Sequence, residues 1–546
     1  MKYDYVIIGA GSAGCVLANR LSEDKNVSVL LLEAGGKDTK PELAIPGAYG
    51  KLMKSEVDWG FSTVPQKYVN NREIYLPRGK TLGGCSSTNA MAYVRGHKED
   101  FNDWAKLGNK GWGYDDVLPY FVKSENNEQI NNKYHGKGGE LNVTFAKQYK
   151  TPLADAFVKG CIEKGIQENK DYNGAEMEGA GLFQFTIKEA KRHSTASAFL
   201  KPANGRKNLT VITKAHTNKI IIENNKAIGV EYITGKKSEK VYCNKEVIVS
   251  AGSFGSPQIL MLSGIGDAAE LKKVGIPVIK DLPGVGKNLQ DHLFYPVTCL
   301  SNPKISLNSY IATLPQLGAL AKYLLLKKGP FTISLLEGVA FLKLDKNLDR
   351  PNLQFHFAPI QVGNDGKTDF YDVTTFPTED GFAILPTLLK PLSRGYVALR
   401  SDNPLDSLII QPNFLEKEED KKVLIQGYYK AKEVLMSDAF KPYRVKMNFP
   451  EDDSTEEKIF EHIKTYVETV YHPVGTCKMG NDKMAVVDEN LKVIGIEGLR
   501  VADASIMPTI VSGNTNAACI MIGEKAADMI KGKVSKKQNQ EGLQMA

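Results

Sequence analysis

The chain is predicted to be an α/β protein, with a Rossmann-type nucleotide-binding domain discontinuous in sequence and an α+β substrate domain built on an antiparallel sheet. Three observations predict this. A glycine-rich turn joins a strand to a helix at the start of the chain. Strand and helix signals recur in three separated blocks. Between the last two blocks the sequence alternates apolar and polar residues with period two.

The first block is the most complete. Asp4–Ile8 reads as a buried parallel strand, Gly9-Ala10-Gly11-Ser12-Ala13-Gly14 as the turn, Cys15–Leu21 as an amphipathic helix, and Val27–Leu32 as a second strand closed by Glu33. Gly9 permits the tight turn, Gly11 lets backbone approach a pyrophosphate, and Gly14 lets helix and strand pack closely. Phosphates would meet a helix N-terminus, where free N–H groups and the dipole favour anions. Glu33 would accept hydrogen bonds from a ribose diol. These parts specify a nucleotide site without saying which nucleotide.

The middle block offers strands at Asn208–Ile212, Ala227–Ile233 and Glu246–Gly252, and the last block a strand at Leu499–Asp503 and a helix at Ala517–Ile530. Leu353–Ile360 and Tyr396–Arg400 alternate as antiparallel strands do. The expected division is a nucleotide domain from 1–298 and 466–535, with cover segments near 40–78 and 150–195. A substrate-binding cap would span 299–465, followed by a tail at 536–546. Ligand chemistry belongs where the two domains meet.

Composition narrows the function classes. A length of 546 residues exceeds one ordinary core, and 70 Lys+Arg against 63 Asp+Glu leaves a net charge of only +7. No basic run is interleaved with aromatics, so nucleic acid is not an expected partner. Seven scattered cysteines without a CxxC pair suit reduced thiols and a cytoplasmic location. No histidine, cysteine or carboxylate cluster has metal-ligand spacing, so no metal is expected. No signal peptide precedes the first strand, and no apolar run reaches membrane-spanning length. The most lipid-like piece, Leu314–Leu326, reads as a helix packed on its own domain, so membrane contact is at most peripheral to an inner membrane.

Three further motifs are specific. Pro77-Arg78-Gly79-Lys80-Thr81-Leu82-Gly83-Gly84-Cys85-Ser86-Ser87-Thr88-Asn89 is a glycine-rich loop able to bring backbone amides close to a flat or anionic ligand. Gly252–Gly266 follows a middle-block strand. Tyr471-His472-Pro473-Val474-Gly475-Thr476 precedes a block that ends Ser512-Gly513-Asn514-Thr515-Asn516. With these motifs the chain, from about residue 3 to 530, resembles the glucose–methanol–choline (GMC) oxidoreductases. These are FAD-dependent alcohol dehydrogenases and oxidases, and the chain is most similar to their choline dehydrogenase-like bacterial branch.

The resemblance implies that Gly9, Gly11, Ser12, Ala13, Gly14 and Glu33 hold the ADP half of FAD. It places Thr81, Gly84, Asn89, Ala90 and Met91 along the flavin and ribityl chain, and Ala215 on the adenine side. Asp503 and Ala504 would close over the pyrophosphate, while Thr515 and Asn516 reach the flavin ring. Family members that bind FAD covalently do so through a histidine immediately before the loop asparagine. Thr88 stands there, so the FAD is expected to be non-covalent.

Oxidising an alcohol to an aldehyde needs a base for the hydroxyl proton and an acceptor for hydride. His472 and Asn514 occupy the family's His–Asn pair, His472 as base and Asn514 orienting the oxygen. The other histidines, His292 and His356 among them, read as structural. Glu337 falls where choline-oxidising relatives set a glutamate against the ammonium group, with Trp59 and Tyr471 as aromatic faces, so choline is a candidate substrate beside other primary alcohols. An electron acceptor (a quinone, a carrier protein or O2) completes the cycle. The same scaffold also serves O2-using alcohol oxidases, lyases and light-driven decarboxylases.

Overall fold

A computed structural model describes residues 2–362 and 368–533; the expected tail at 536–546 lies outside them. Strand β1 (Lys2–Ile8) runs into the helix α1 (Ser12–Leu21) and then β2 (Val29–Glu33). The next strands of that layer come from the middle block: β3 (Leu209–Thr213), β4 (Ala215–Glu223), β5 (Lys226–Thr234) and β6 (Lys237–Val249), followed by α2 (Gly252–Leu262). They form six strands of a seven-stranded sheet, in the order β3-β2-β1-β6-β5-β4. Pairing is parallel through β3, β2, β1 and β6, with Val6 opposite both Leu30 and Val247. The β4–β5–β6 meander is antiparallel. The inner strands read as continuous apolar runs because both faces are covered, and Val6, Ile7, Leu31, Val247 and Ile248 are wholly buried.

The second layer is an eight-stranded antiparallel sheet. Its strands include β7 (Val297–Ser301), then, beyond the helix α3 (Thr313–Leu326), β8 (Gly338–Leu342), β9 (Leu353–Ala358) and β10 (Gly381–Leu388). After helix α4 (Glu418–Leu435) comes β11 (Arg444–Phe449). One face packs on α4 and on the helix Pro152–Glu163, where Phe157 stacks on Phe357 with ring centroids 4.9 Å apart. The sheets divide the chain differently from the expected boundaries at 298 and 466. Gly179–Leu182 pairs with β8, and Leu293–Phe294 pairs with both β10 and Glu468–Thr469. The cap sheet therefore recruits short strands from segments assigned to the nucleotide domain. Strands of two to four residues carry too little periodicity to show in sequence.

The chain returns to the first sheet at its end. Strand β12 (Leu499–Val501) pairs in parallel with β6, and helix α5 (Asn516–Ile530) packs on α1. Gly523 makes the approach possible, since a Cβ there would lie 2.9 Å from the Ala13 carbonyl oxygen. Arg20 locks the two helices, with Nη2 2.6 Å from the fully buried Glu524 and Nη1 2.6 Å from Glu140. One expectation is corrected. Leu314–Leu326 is helical, but it does not pack like a core helix: only Ala319 and Tyr323 of α3 are buried. Among the described residues no helix is long and apolar enough to cross a membrane. The Arg20–Glu524 contact makes a prediction: Glu524→Ala should cost about 1–3 kcal/mol in chemical denaturation, because the buried Arg20 Nε loses its acceptor while Nη1 and Nη2 keep Glu140.

Candidate active site

One continuous cavity of about 360 Å³ runs between the two layers. At one end it is walled by Gly9, Gly11, Ser12, Ala13 and Glu33. Glu33 is the last residue of β2, and its carboxylate accepts from the Ala10 N–H at 2.8 Å and the Gly35 N–H at 2.7 Å. Burial raises its pKa to about 7, against the opposing pull of those two N–H bonds. Helices α1 and α5 both begin at this wall, with caps Gly11 and Thr515 that make no side-chain cap bond. Their first turns thus present unpaired N–H groups side by side, and the Ser12 hydroxyl ties them by a 2.6 Å bond to Asn516 Oδ1.

These residues fit a dinucleotide. Gly11 has φ −77°, which any residue adopts, and a Cβ there would meet only the Ser250 carbonyl oxygen at 3.9 Å. Nothing in the protein demands a glycine at that point; space for a ligand does. Gly14 differs. It is not on the wall, and a Cβ would lie 1.9 Å from the Gly9 carbonyl oxygen, so its role is close helix–strand packing. Gly84, Asn89, Ala90, Met91, Ala215, Asp503, Ala504, Thr515 and Asn516 all line the cavity. Met91 holds a left-handed φ of 62°, its N–H bonded to Asn89 Oδ1 at 3.0 Å. Asp503 accepts from the Gly252 N–H at 2.8 Å and the Ser256 hydroxyl at 2.5 Å, joining α2 to the final block.

The other end carries the chemistry. Val470–Pro473 enters along the pairing of Glu468–Thr469 with Leu293–Phe294, which brings His292 beside His472. His292 Nε2 lies 3.0 Å from the Leu389 carbonyl oxygen, which can only accept, so Nε2 carries the proton. Burial lowers the pKa of His292 to about 3, keeping the ring neutral, and its Nδ1 is therefore an acceptor. His472 Nδ1 stands 3.0 Å away and must donate. That leaves the lone pair of His472 on Nε2, where Asn514 Nδ2 donates at 3.3 Å. Burial holds the pKa of His472 well below the ordinary 6.5, with the neighbouring His292, His356 and Arg78 acting in the same sense. The imidazole is neutral, in one tautomer, with its basic nitrogen beside a carboxamide whose own oxygen, Asn514 Oδ1, is buried without a partner. That orphaned oxygen and the uncapped helix starts are what a bound ligand would satisfy.

The segment leading to Asn514 is anchored at Ser512 by a buried ion cluster. Asp100 accepts from the Ser512 N–H at 2.6 Å, from Lys390 at 2.9 Å and from Arg350 at 3.1 Å. These partners hold its pKa down at about 2 despite full burial.

The GMC oxidoreductase family description matches residues 3–294 and again residues 391–523. The chain belongs to the GMC oxidoreductase family. It is 43% identical over 538 residues to an alcohol dehydrogenase [acceptor] of Pseudomonas putida, spanning 97% of this chain and 96% of the relative. It is 44% identical over 537 residues to an oxygen-dependent choline dehydrogenase of Sinorhizobium fredii, spanning 98% and 96%. Its fold superposes with TM-score 0.87 on an FAD-dependent oxidoreductase from Chaetomium thermophilum, at 28% identity over 98% of this chain and the whole of that one.

Within this GMC oxidoreductase three expected contacts lie elsewhere. Glu337 does not reach the cavity: its carboxylate accepts from the Thr151 N–H at 2.9 Å and from the Thr151 hydroxyl. It directly precedes β8; Leu335 and Leu336 before it both line the cavity, whereas the Glu337 carboxylate turns to Thr151. Trp59 lines the cavity beside His216, 5.9 Å between centroids, next to Ala215 rather than among the residues around His472. Thr81 is fully buried behind the wall, its hydroxyl donating to the Gly36 carbonyl oxygen at 3.2 Å. Tyr471 does line the cavity, in a left-handed conformation at φ 65°.

Two residues read as structural belong to the site. His292 fixes the tautomer of His472. His356 lines the cavity from β9, with Nδ1 3.0 Å from the Thr387 hydroxyl and Nε2 buried without a partner. Its signal was available: Gln354 and His356 put two polar side chains on one face of a strand otherwise wholly apolar.

The two glycines yield a paired prediction. Gly11→Ala should fold with stability within about 0.5 kcal/mol of the parent apoprotein yet purify without bound flavin. Gly14→Ala should lose at least about 1–3 kcal/mol through overpacking. Visible absorbance and thermal unfolding of each variant check both.

Proposed function

We propose that this protein oxidises a neutral, apolar primary alcohol to the aldehyde, using non-covalently bound FAD, with His472 as base and Asn514 orienting the substrate oxygen. The observation that carries this reading is the hydrogen-bonded series Leu389–His292–His472–Asn514 at one end of a cavity whose other end is shaped for a dinucleotide. Gly9, Gly11, Ser12, Glu33 and Ala215 would hold the nucleotide half of FAD, and Asn89–Met91 with Thr515–Asn516 the remainder. Bound FAD supplies the two-electron acceptor for the hydride leaving the alcohol carbon. Thr88, on the cavity wall, offers a hydroxyl in place of the histidine that covalent attachment uses.

The chain's own residues manage the proton. A substrate hydroxyl placed between His472 Nε2 and Asn514 Nδ2 replaces a 3.3 Å contact, long for a hydrogen bond, with two shorter ones. Nε2 accepts the hydroxyl proton while Nδ1 keeps its bond to His292. The carboxamide then donates to the alkoxide oxygen without adding charge. Burial excludes water, so the developing charge is felt strongly by both groups.

The wall opposite favours an apolar substrate. Phe294, Leu336, Ile360, Phe370, Phe376 and Leu385 line the cavity, and no carboxylate stands among them in the described residues. The acids that do reach the cavity, Glu33, Asp58 and Asp503, are each engaged in hydrogen bonds. Choline, the substrate in the Sinorhizobium relative's name, would bring a permanent cation to a lining that carries no carboxylate around His472; Asp291, which accepts from the His472 N–H at 2.8 Å, stands behind that lining.

Three predictions rest on the base and on the apolar wall. His472→Ala should retain flavin while its reduction by alcohol slows by roughly 10²–10⁴-fold in anaerobic stopped flow; unchanged reduction defeats the assignment. Protonation would silence the base, so activity falls on the acid side. With its pKa depressed by burial, the acid limb of kcat/KM should lie below pH 6.5. Benzyl alcohol and aliphatic alcohols should outcompete choline for flavin reduction in the parent protein, and preference for choline would refute the apolar substrate.

A further inference from the structure

Helix α3 turns its apolar side outwards. Leu314 and Leu325 are each 82% exposed, Leu317 56% and Leu324 57%. At 100° per residue these four fall on one solvent-facing arc, with Ala321 between them. The inward arc is narrow, resting on Ala319 and on Tyr323, whose hydroxyl donates to the Ala190 carbonyl oxygen at 3.1 Å. A surface helix ordinarily shows the reverse arrangement. From Ile311 to Lys328 there is no carboxylate and there are three cations, Lys322, Lys327 and Lys328.

We propose that α3 is an interfacial docking helix that seats this protein on an anionic phospholipid surface. Its fourteen residues cover about 21 Å, too short to cross a bilayer and long enough to lie in its interface. Leucines on one arc with lysines beside them are the composition that enters a headgroup layer while meeting negative charge. A second copy of the chain fits less well. A two-fold contact on this face would set lysines against lysines with no acid on the helix to pair them. The position is also informative. Helix α3 packs on the turn Pro330–Thr332, which touches Pro46–Leu52. Both turns lead into cavity wall, through Leu335 and Leu336 on one side and Tyr49 and Leu52 on the other. A surface holding α3 therefore lies against the segments that enclose the cavity.

The test uses the FAD-loaded protein and extruded vesicles of phosphatidylcholine, with and without phosphatidylglycerol, read by co-sedimentation. The expected result is binding to the anionic vesicles, weakened about fivefold for each of Lys322→Ala and Lys328→Ala. Each of Leu314→Ser, Leu317→Ser, Leu324→Ser and Leu325→Ser should weaken it at least about tenfold. Reduction of the flavin by a water-soluble alcohol should be unchanged in these variants, which separates this test from that of the catalytic reading. Failure of the parent protein to bind anionic vesicles overturns the proposal, as does undiminished binding by the serine variants. So does conversion of a lipid-free dimer to monomer by those substitutions in sedimentation velocity, which would make the face a contact between copies. If multiple serines impair folding, Leu325→Trp alone decides: its indole emission should shift to the blue on anionic vesicles, and an unshifted spectrum rejects the idea.

Discussion

The site depends on a proton being in one place. In a dry cavity a histidine can serve as base only if it is neutral and only if its lone pair faces the substrate. Burial secures the first condition, holding His472 far below its ordinary pKa. The Leu389 carbonyl secures the second from two residues away: being unable to donate, it forces the proton of His292 onto Nε2, which forces that of His472 onto Nδ1. Each step has a single solution, so the basic nitrogen is directed by backbone geometry rather than by chance of tautomer.

Bringing these groups together takes both layers. Glu468–Thr469 pairs with Leu293–Phe294, an antiparallel contact that sets His472 against His292. Asn514 comes from the segment that closes the nucleotide layer, and Asp100, with Lys390 and Arg350, clamps its approach through Ser512. The nucleotide end follows a different logic. There the groups are backbone N–H donors at two uncapped helix starts, supplemented by one buried carboxylate, and side chains are kept small so that a ligand can come close.

Much of this was legible in the sequence because it rests on local pattern. The strand–turn–helix–strand–acid unit from Asp4 to Glu33 folds as its glycines and periodicity require, and the parallel and antiparallel layers follow their respective patterns. His472 and Asn514 were legible from motif context and are neighbours in the structure. What was not legible depends on pairing between distant segments. His292 has nothing local to mark it; only the register of two-residue strands carries it to His472. Glu337 was misplaced because its carboxylate is taken up by Thr151, a partner 186 residues away that nothing local announces. Trp59 was misplaced because a loop, with no periodicity, decides which side of the cavity an aromatic ring covers. Helix α3 was read as packed because its composition suits a core, whereas composition is silent about which arc meets the protein.

The parallel sheet is completed in an order that the ribosome cannot follow. Strand β6 has β1, made first, on one side and β12, made some five hundred residues later, on the other. Until β12 and α5 emerge, Val247–Val249 keeps a raw edge, and α1 lacks the partner that shares its anion-binding end. A nascent chain thus carries half a cradle for nearly its whole synthesis, and cofactor capture becomes a late event coupled to release of the C-terminal helix.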